Sequence, residues 1–480
     1  MISKITYHIP RAVLIAFLAV IGFGCATTSN PDVNRGGEFE FRDGYPEVSM
    51  SAIGLLNEQD EAIINITSEI VQGSLVYRTD EDGKTFGLIN IEVRINQTDG
   101  SFTKTFNETF EISSTNNTRL YQSPDKFTHI RDFEVEPGSY EIDVTVADAS
   151  SGKAVNLNTT AQIPDPENPF VNLTSILLQS KSLEEPGAQF IPVTTYSIPM
   201  AEDSLKFTFQ VTNNDLDDPL TINAQLIHFT ADTTYARPMH FNNYSVSSIQ
   251  YRGIDMRSPD LVDENVRRLD QPGSVLIEFK YHTKDLQQGN YRFEVEMVDG
   301  DGNELFKARD FAILQENFPN VLTPKEMAEP LIYLMDEREY KEMMAIEDTD
   351  KLKEAVDRFW LSNVGGEQRA RGVIELYYQR VEEANKQFTN FKEGWKTDLG
   401  MIYILFGPPW YIDRSLNRMQ WSYSYDRRDP RTNFFFERNR NFNQYYPFHH
   451  YILQRNNNYF NIMYQQSQLW RTGGILTRRL

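Results

Sequence analysis

Apolar and polar positions alternate through the first part of the chain. Ile89-Asn90-Ile91-Glu92-Val93-Arg94-Ile95 keeps strict period two, and Phe102, Phe106 and Phe110 share one parity beyond a turn at Asp99-Gly100. Alternation broken by Asp-Gly pairs, at Asp82-Gly83 and again at Asp99-Gly100, predicts antiparallel sheet with one wet face over about residues 61–163. The closing strand of this region then recurs. Gly138-Ser139-Tyr140-Glu141-Ile142-Asp143-Val144-Thr145-Val146-Ala147-Asp148 matches Gly289-Asn290-Tyr291-Arg292-Phe293-Glu294-Val295-Glu296-Met297-Val298-Asp299 in its Gly, Tyr, alternating apolar positions and Asp. One strand-turn unit used twice predicts two similar β domains.

Between the copies stands Ile163-Pro164-Asp165-Pro166-Glu167-Asn168-Pro169, whose prolines cannot continue a strand and make a stiff connector. After Leu314 the period becomes helical. Thr323-Pro324-Lys325-Glu326 supplies an N-cap, a first-turn proline and a capping-box Glu. Helical patterning runs to about Ile346. A second helix is marked by Leu352, Val356, Phe359 and Trp360 and stopped near Gly365-Gly366. Tyr377, Val381, Ala384 and Phe388 give a third helix one apolar face.

The Gly-x-Tyr entry to the repeated strand resembles the tyrosine corner of immunoglobulin-like sandwiches, where the Tyr hydroxyl ties back to nearby backbone. The fold class expected is therefore multidomain, β plus α+β: two immunoglobulin-like β-sandwiches, residues 51–165 and 170–315, followed by a helical and β domain, 320–480.

The amino terminus has a different pattern. Lys4 and Arg11 precede 13 apolar residues, 12–24, too few for a membrane span, which takes about 20, and of the length of an export signal. Gly24 then meets Cys25, the single cysteine in 480 residues. The arrangement resembles a bacterial lipoprotein signal, with residues 1–24 removed and Cys25 lipidated. The resemblance differs at Gly22, where the pattern prefers an aliphatic residue. Ala26 in place of Asp at the next position implies the outer membrane, on its periplasmic side. Residues 25–50 read as a flexible tether of about 20 polar residues reaching roughly 25 Å on average.

Charge and composition narrow the partners. A formal net charge of -21 argues against nucleic acid and against electrostatic docking on anionic lipid. A hydrophobic content of 40% is that of packed domains. One cysteine supports neither a disulfide framework nor a cysteine metal site, and the adjacent His449 and His450 point to opposite faces on a strand. No cofactor and no metal are expected.

The most specific motif is Gly394-Trp395-Lys396-Thr397-Asp398, followed by Leu399-Gly400-Met401-Ile402-Tyr403-Ile404-Leu405-Phe406-Gly407-Pro408-Pro409. It resembles the GWxTD-domain family of bacterial (Bacteroidota-type) proteins, often lipoproteins, whose function is not established. The likeness covers roughly residues 331–438, with Leu361-Ser362-Asn363-Val364 where relatives usually carry an Arg-Asp-Pro stretch.

A structural role accounts for each motif residue. Gly394 and Gly400 take backbone angles closed to other residues, and Thr397 and Asp398 bond nearby amides as turn locks. Trp395 pins the loop. Residues 401–405, with Tyr403 among them, form a buried strand ended by Gly407-Pro408-Pro409. The catalytic alternative joins Asp398 with Lys396 or Asp413 in a polar site, but no partnering His appears.

Residues 391–480 hold 13 Lys or Arg against 6 Asp or Glu and 21 of the 60 aromatics, leaving about -28 for the rest. This reads as an aromatic core whose basic rim packs on the acidic β domains. The function expected is a membrane-anchored, non-enzymatic structural or interaction component of the cell envelope with a protein partner. The alternative is an envelope glycan- or peptide-processing enzyme, or a carbohydrate-binding protein, working through the C-terminal aromatic domain.

Overall fold

A computed structural model describes residues 32–477 except 36–38, 43, 58, 60, 114–124, 166–170, 183–186, 215–218, 271, 299–301, 303, 425–431 and 440–448. Cys25, the export run and most of the proline connector lie outside these residues. Alternation becomes strand where it was strictest. Two short strands, β1 (Val33–Asn34) and β2 (Phe39–Glu40), precede β3 (Val48–Leu56), β4 (Ala62–Val71), β5 (Arg78–Thr79), β6 (Thr85–Gln97), β7 (Thr103–Ser113), β8 (Lys126–Glu134), β9 (Gly138–Asp148) and β10 (Ala154–Ile163). β2-β3-β4-β8 make one sheet and β5, β6, β7, β9 and β10 the other. Inward residues from both, such as Ile64, Ile66, Ile91, Val93, Tyr140 and Val144, share one core.

A second pair of sheets follows. Its strands are β11 (Val171–Leu173), β12 (Leu177–Ser182), β13 (Ile191–Pro192), β14 (Ser197–Pro199), β15 (Glu202–Asn213), β16 (Leu220–Phe229), β17 (Asp260–Leu269), β18 (Gly273–His282), β19 (Gly289–Val298) and β20 (Glu304–Leu314). One sheet runs β1-β20-β19-β16-β17 with β14 also on β20; the other holds β11, β12, β13, β15 and β18. Phe207, Phe209, Phe293 and Phe311 fill the space between them. The repeated Tyr does the same thing in both copies. Tyr140 donates its hydroxyl to the Glu136 carbonyl at 2.6 Å and Tyr291 to the Gln287 carbonyl at 2.7 Å.

Among the described residues of 25–50, strands stand where a flexible tether was expected. β3 begins at Val48, and β1 pairs in parallel with Ala308 and Arg309 of β20. Val33 is buried, and Arg35 reaches Asp310, itself in a two-bond fork with Arg292. Two residues carry no readable period, and the strand they join is far away in sequence.

The C-terminal part opens with α1 (Pro324–Ala328), where Thr323 and Glu326 cap each other's amides. There follow α2 (Glu337–Met344), α3 (Thr349–Val364) and α4 (Glu367–Phe388). Gly365 and Gly366, both at positive φ (66° and 99°), separate the last two. Then come α5 (Asp398–Phe406), a small antiparallel sheet of β21 (Tyr411–Arg414), β22 (Arg418–Ser422), β23 (Asn433–Arg438) and β24 (Tyr451–Leu453), and α6 (Tyr459–Arg471).

Residues 401–405 are thus helical, correcting the buried strand. Every residue of α5 is buried, and a helix covered on all sides has no polar face to show a 3.6 period. Its start is fixed locally, since Thr397 Oγ1 accepts from the Gly400 amide at 3.0 Å.

Candidate functional site

The motif glycines serve by size, and neither has positive φ. A Cβ on Gly394 would stand 1.9 Å from the Ala384 carbonyl oxygen of α4, and one on Gly400 would stand 2.0 Å from the Gly394 carbonyl oxygen. Three pieces of backbone, α4, the motif turn and α5, are stacked as closely as backbone allows. The expectation of special backbone angles is therefore corrected at both positions. Gly407 does need one: its φ is 83°, and it ends α5. The Gly407 carbonyl accepts the Tyr423 hydroxyl at 2.7 Å. Pro409 follows the helix end.

Trp395 is buried, edge-on to Tyr333, whose hydroxyl donates to the Trp395 carbonyl at 2.7 Å. Tyr403 donates to Glu383 of α4 at 2.6 Å. Asp398 goes further than a local turn lock. Its Oδ1 accepts from Arg455 Nη2 at 2.7 Å, and its Oδ2 accepts from Arg455 Nη1 at 2.8 Å and from the Leu453 amide at 2.7 Å. Both side chains are almost wholly buried (1% and 3% exposed).

The same Arg455 donates to the carbonyls of Arg237 and Pro238 and lies 4.6 Å over the Tyr244 ring. These residues belong to the segment between β16 and β17 of the second sandwich. That segment also sends Ala236 and Met239 into the C-terminal core. Beside it the buried Lys392 donates to the Thr234 carbonyl at 2.7 Å, and Asn290 of β19 donates to the Phe391 carbonyl at 2.9 Å. Arg455 and Lys392 thus meet the β domains as buried side chains on backbone carbonyls, and Lys386 of α4, which precedes the basic stretch 391–480, meets Glu47 of the first sandwich at 2.7 Å.

Burial sets the electrostatics. Desolvation lowers Lys392 to about 8, with Asp232 and Asp398 opposing, and lowers His450 to about 3, with the Lys392 charge adding to the effect. Desolvation raises Tyr244 to about 12, helped by Asp398 and Asp232.

The alternative partners of Asp398 are elsewhere. Lys396 is paired with Glu393 at 2.6 Å, and Asp413 lies on the exposed β21. Among the described residues no group of three or more His, Cys, Asp or Glu could hold a metal ion. His450 is buried and His449 exposed. A cleft of about 1850 Å³ lies between the first sandwich, the β1–β20 region and α4, and no residue of the motif lines it. The site has the geometry of a clamp: among the described residues Asp398 is held by Arg455, Lys396 by Glu393 and Tyr403 by Glu383.

Of this clamp the motif signalled one half. Arg455 and the 236–239 segment lie far from the motif in stretches without period, so only folding brings them to Asp398. Most C-terminal aromatics named here, including Phe406, Trp421, Phe434, Phe436, Tyr459 and Trp470, are core residues, while Tyr411, Phe435, Phe460 and Tyr464 are exposed.

Comparison with known proteins agrees with the motif. Residues 297–472 match the family model described as GWxTD domain. No curated protein matches the chain. Among solved structures, the chain is similar to red sea bream transglutaminase at 6% identity and a TM-score of 0.19, covering 57% of this chain and 32% of that one. It is also similar to a Salmonella alpha-2-macroglobulin reacted with methylamine, at 9% identity and a TM-score of 0.18, covering 59% of this chain and 17% of that one. The chain thus spans about a third or less of the length of these structures.

Proposed function

Residues 297–472 are a GWxTD domain that takes in β20 of the second sandwich as well as the C-terminal helices and sheet, and from that premise we propose a lipid-anchored, non-enzymatic structural or interaction component of the cell envelope. The two sandwiches are of immunoglobulin-like type, a reading supported by paired sheets around one core and by the matching Tyr140 and Tyr291 ties.

The observation that carries the reading is the state of Asp398. The motif's one carboxylate is committed to Arg455 and the Leu453 amide, away from solvent. A general acid or base needs a face open to substrate; a joint between domains needs the opposite. The motif locks the C-terminal domain to the second sandwich, so the two present a partner with one rigid surface.

Lipid on Cys25 is the second half of the proposal. It rests on the export run and the single cysteine. Six residues lie between Cys25 and Asp32, a span of at most about 25 Å over the seven steps, so an anchored protein is held near the outer-membrane surface, periplasmic side. Affinity purification of the anchored full chain tests the function, with a stoichiometric envelope protein expected. Recovery of no partner, together with retention of the purified protein on cell-wall glycan, would overturn it in favour of glycan work.

A further inference from the structure

β17 and β18 are the outer strands of the second sandwich's two sheets on one side. They are stitched together by Tyr281, which donates to Asp263 at 2.9 Å, and by Arg267, 4.8 Å over the Phe279 ring. β17 pairs with β16, and among the described residues no strand pairs with its other side. Open edges are ordinarily guarded by proline, shortness or charge, because unpaired backbone invites another strand. β17 is ten residues long and without proline. Five charges and a register shift at Val262 guard it, yet it exposes Leu261, Val262 and Val266 at 56%, 46% and 64%, so a partner strand must match those charges.

Its charges are ordered. Asp260, Asp263 and Glu264 come first, and Arg267 and Arg268 last. An antiparallel copy reverses that order and sets acid against base. A two-fold axis through such a pair needs one residue that meets itself. Centring on Glu264 would oppose like charges. Centring on Asn265 would pair Asp263 with Arg267 on the face turned toward β18, where Tyr281 and the Phe279 ring hold them between the sheets. Glu264 and Arg268 are on the exposed face, bonded there to Gln225 and Asp270 at 2.7 Å each, contacts that a partner strand would exchange. Centring on Val266 sets Val266 against Val266 on the solvent face, flanked by Glu264 opposite Arg268 twice, an arrangement of cross-strand pairs that each stabilise a sheet. We propose that a second copy of this chain docks on β17 in this register, making one continuous sheet across the two-fold. The proposal uses no residue of the anchor or the clamp and stands apart from both.

Cysteine scanning in cells producing the full chain tests it, since Cys25 is the only native thiol. Opposed Cα atoms in an antiparallel pair lie about 4.5–5.5 Å apart, inside the disulfide range of about 4.4–6.8 Å. Val266→Cys should therefore give a disulfide-linked dimer on mild oxidation. Val262→Cys should stay monomeric, because in this register its two copies are about 27 Å apart at about 3.4 Å per residue. In the Val266→Cys background, Glu264→Arg should cut the dimer about tenfold, and adding Arg268→Glu should restore it. The wild-type full chain should sediment in detergent as a dimer. Equal cross-linking at 262 and 266, no cross-linking at 266, an adduct with a protein of different mass, failure of the charge swap to rescue, or a wild-type monomer would each overturn the proposal.

Discussion

Asp398 and Arg455 hold each other in a two-bond fork that burial makes costly to break on one side only. Asp398→Asn leaves the guanidinium in place without its counter-charge, and the expected loss is about 3 kcal/mol or more in urea unfolding. Replacing both residues, Asp398→Leu with Arg455→Met, should cost less than the single change, because no charge is then stranded. The motif glycines give a second residue-level test. Gly400→Ala drives a Cβ into the Gly394 carbonyl and should destabilise by at least ~2 kcal/mol. Gly372→Ala, inside α4 with only an ordinary contact at 3.4 Å, should stabilise by about 0.5–1 kcal/mol. The same atom added to two helical glycines has opposite sign.

His450 makes the same point through protons. Its folded value, about 3, lies below the free value of 6.5, so between these pH values the unfolded chain binds more protons. Stability therefore rises with pH through that window and falls on acidification, by up to about 1.4 kcal/mol per pH unit. His450→Phe should flatten this part of the stability curve between pH 4 and 6.5, as read by denaturant midpoints.

Elements owe their ends to local chemistry and their places to packing. Thr397 caps α5, and Thr397→Val should cost about 1 kcal/mol by freeing the Gly400 amide. The tyrosine ties set the entry of β9 and β19. Tyr140→Phe and Tyr291→Phe should each cost about 1 kcal/mol in thermal unfolding, and a markedly smaller loss at one of them would weaken the parallel between the two sandwiches.

Across the whole molecule the sandwiches and the C-terminal domain are coupled through side chains that cross between them. Met239 comes from the second sandwich's long segment yet is fully buried in the C-terminal core. Met239→Ala should cost about 2–5 kcal/mol and lower the calorimetric transition of the C-terminal domain. Two independent transitions with only the sandwich shifted would contradict the shared core. With the proposed lipid removed, Cys25→Ser should shift the protein from the membrane to the soluble fraction on cell fractionation.

Strict alternation in β6, the duplicated Gly-x-Tyr strand, and the caps and stops of α1, α3 and α4 were legible because each depends on residues a few positions apart. The GWxTD motif was legible as a motif, but not as a clamp. Whether residues 401–405 were strand or helix had no answer in an unbroken apolar run. The partner of Asp398 lies 57 positions away, and the strand that β1 joins lies 275 away. Sequence thus determined the β-then-helical order, the positions of the caps and the identity of the motif residues, all through local backbone preference. Burial of a charge, backbone stacked at carbonyl contact and a core shared between domains exist only when distant segments meet, and those the tertiary structure alone decided.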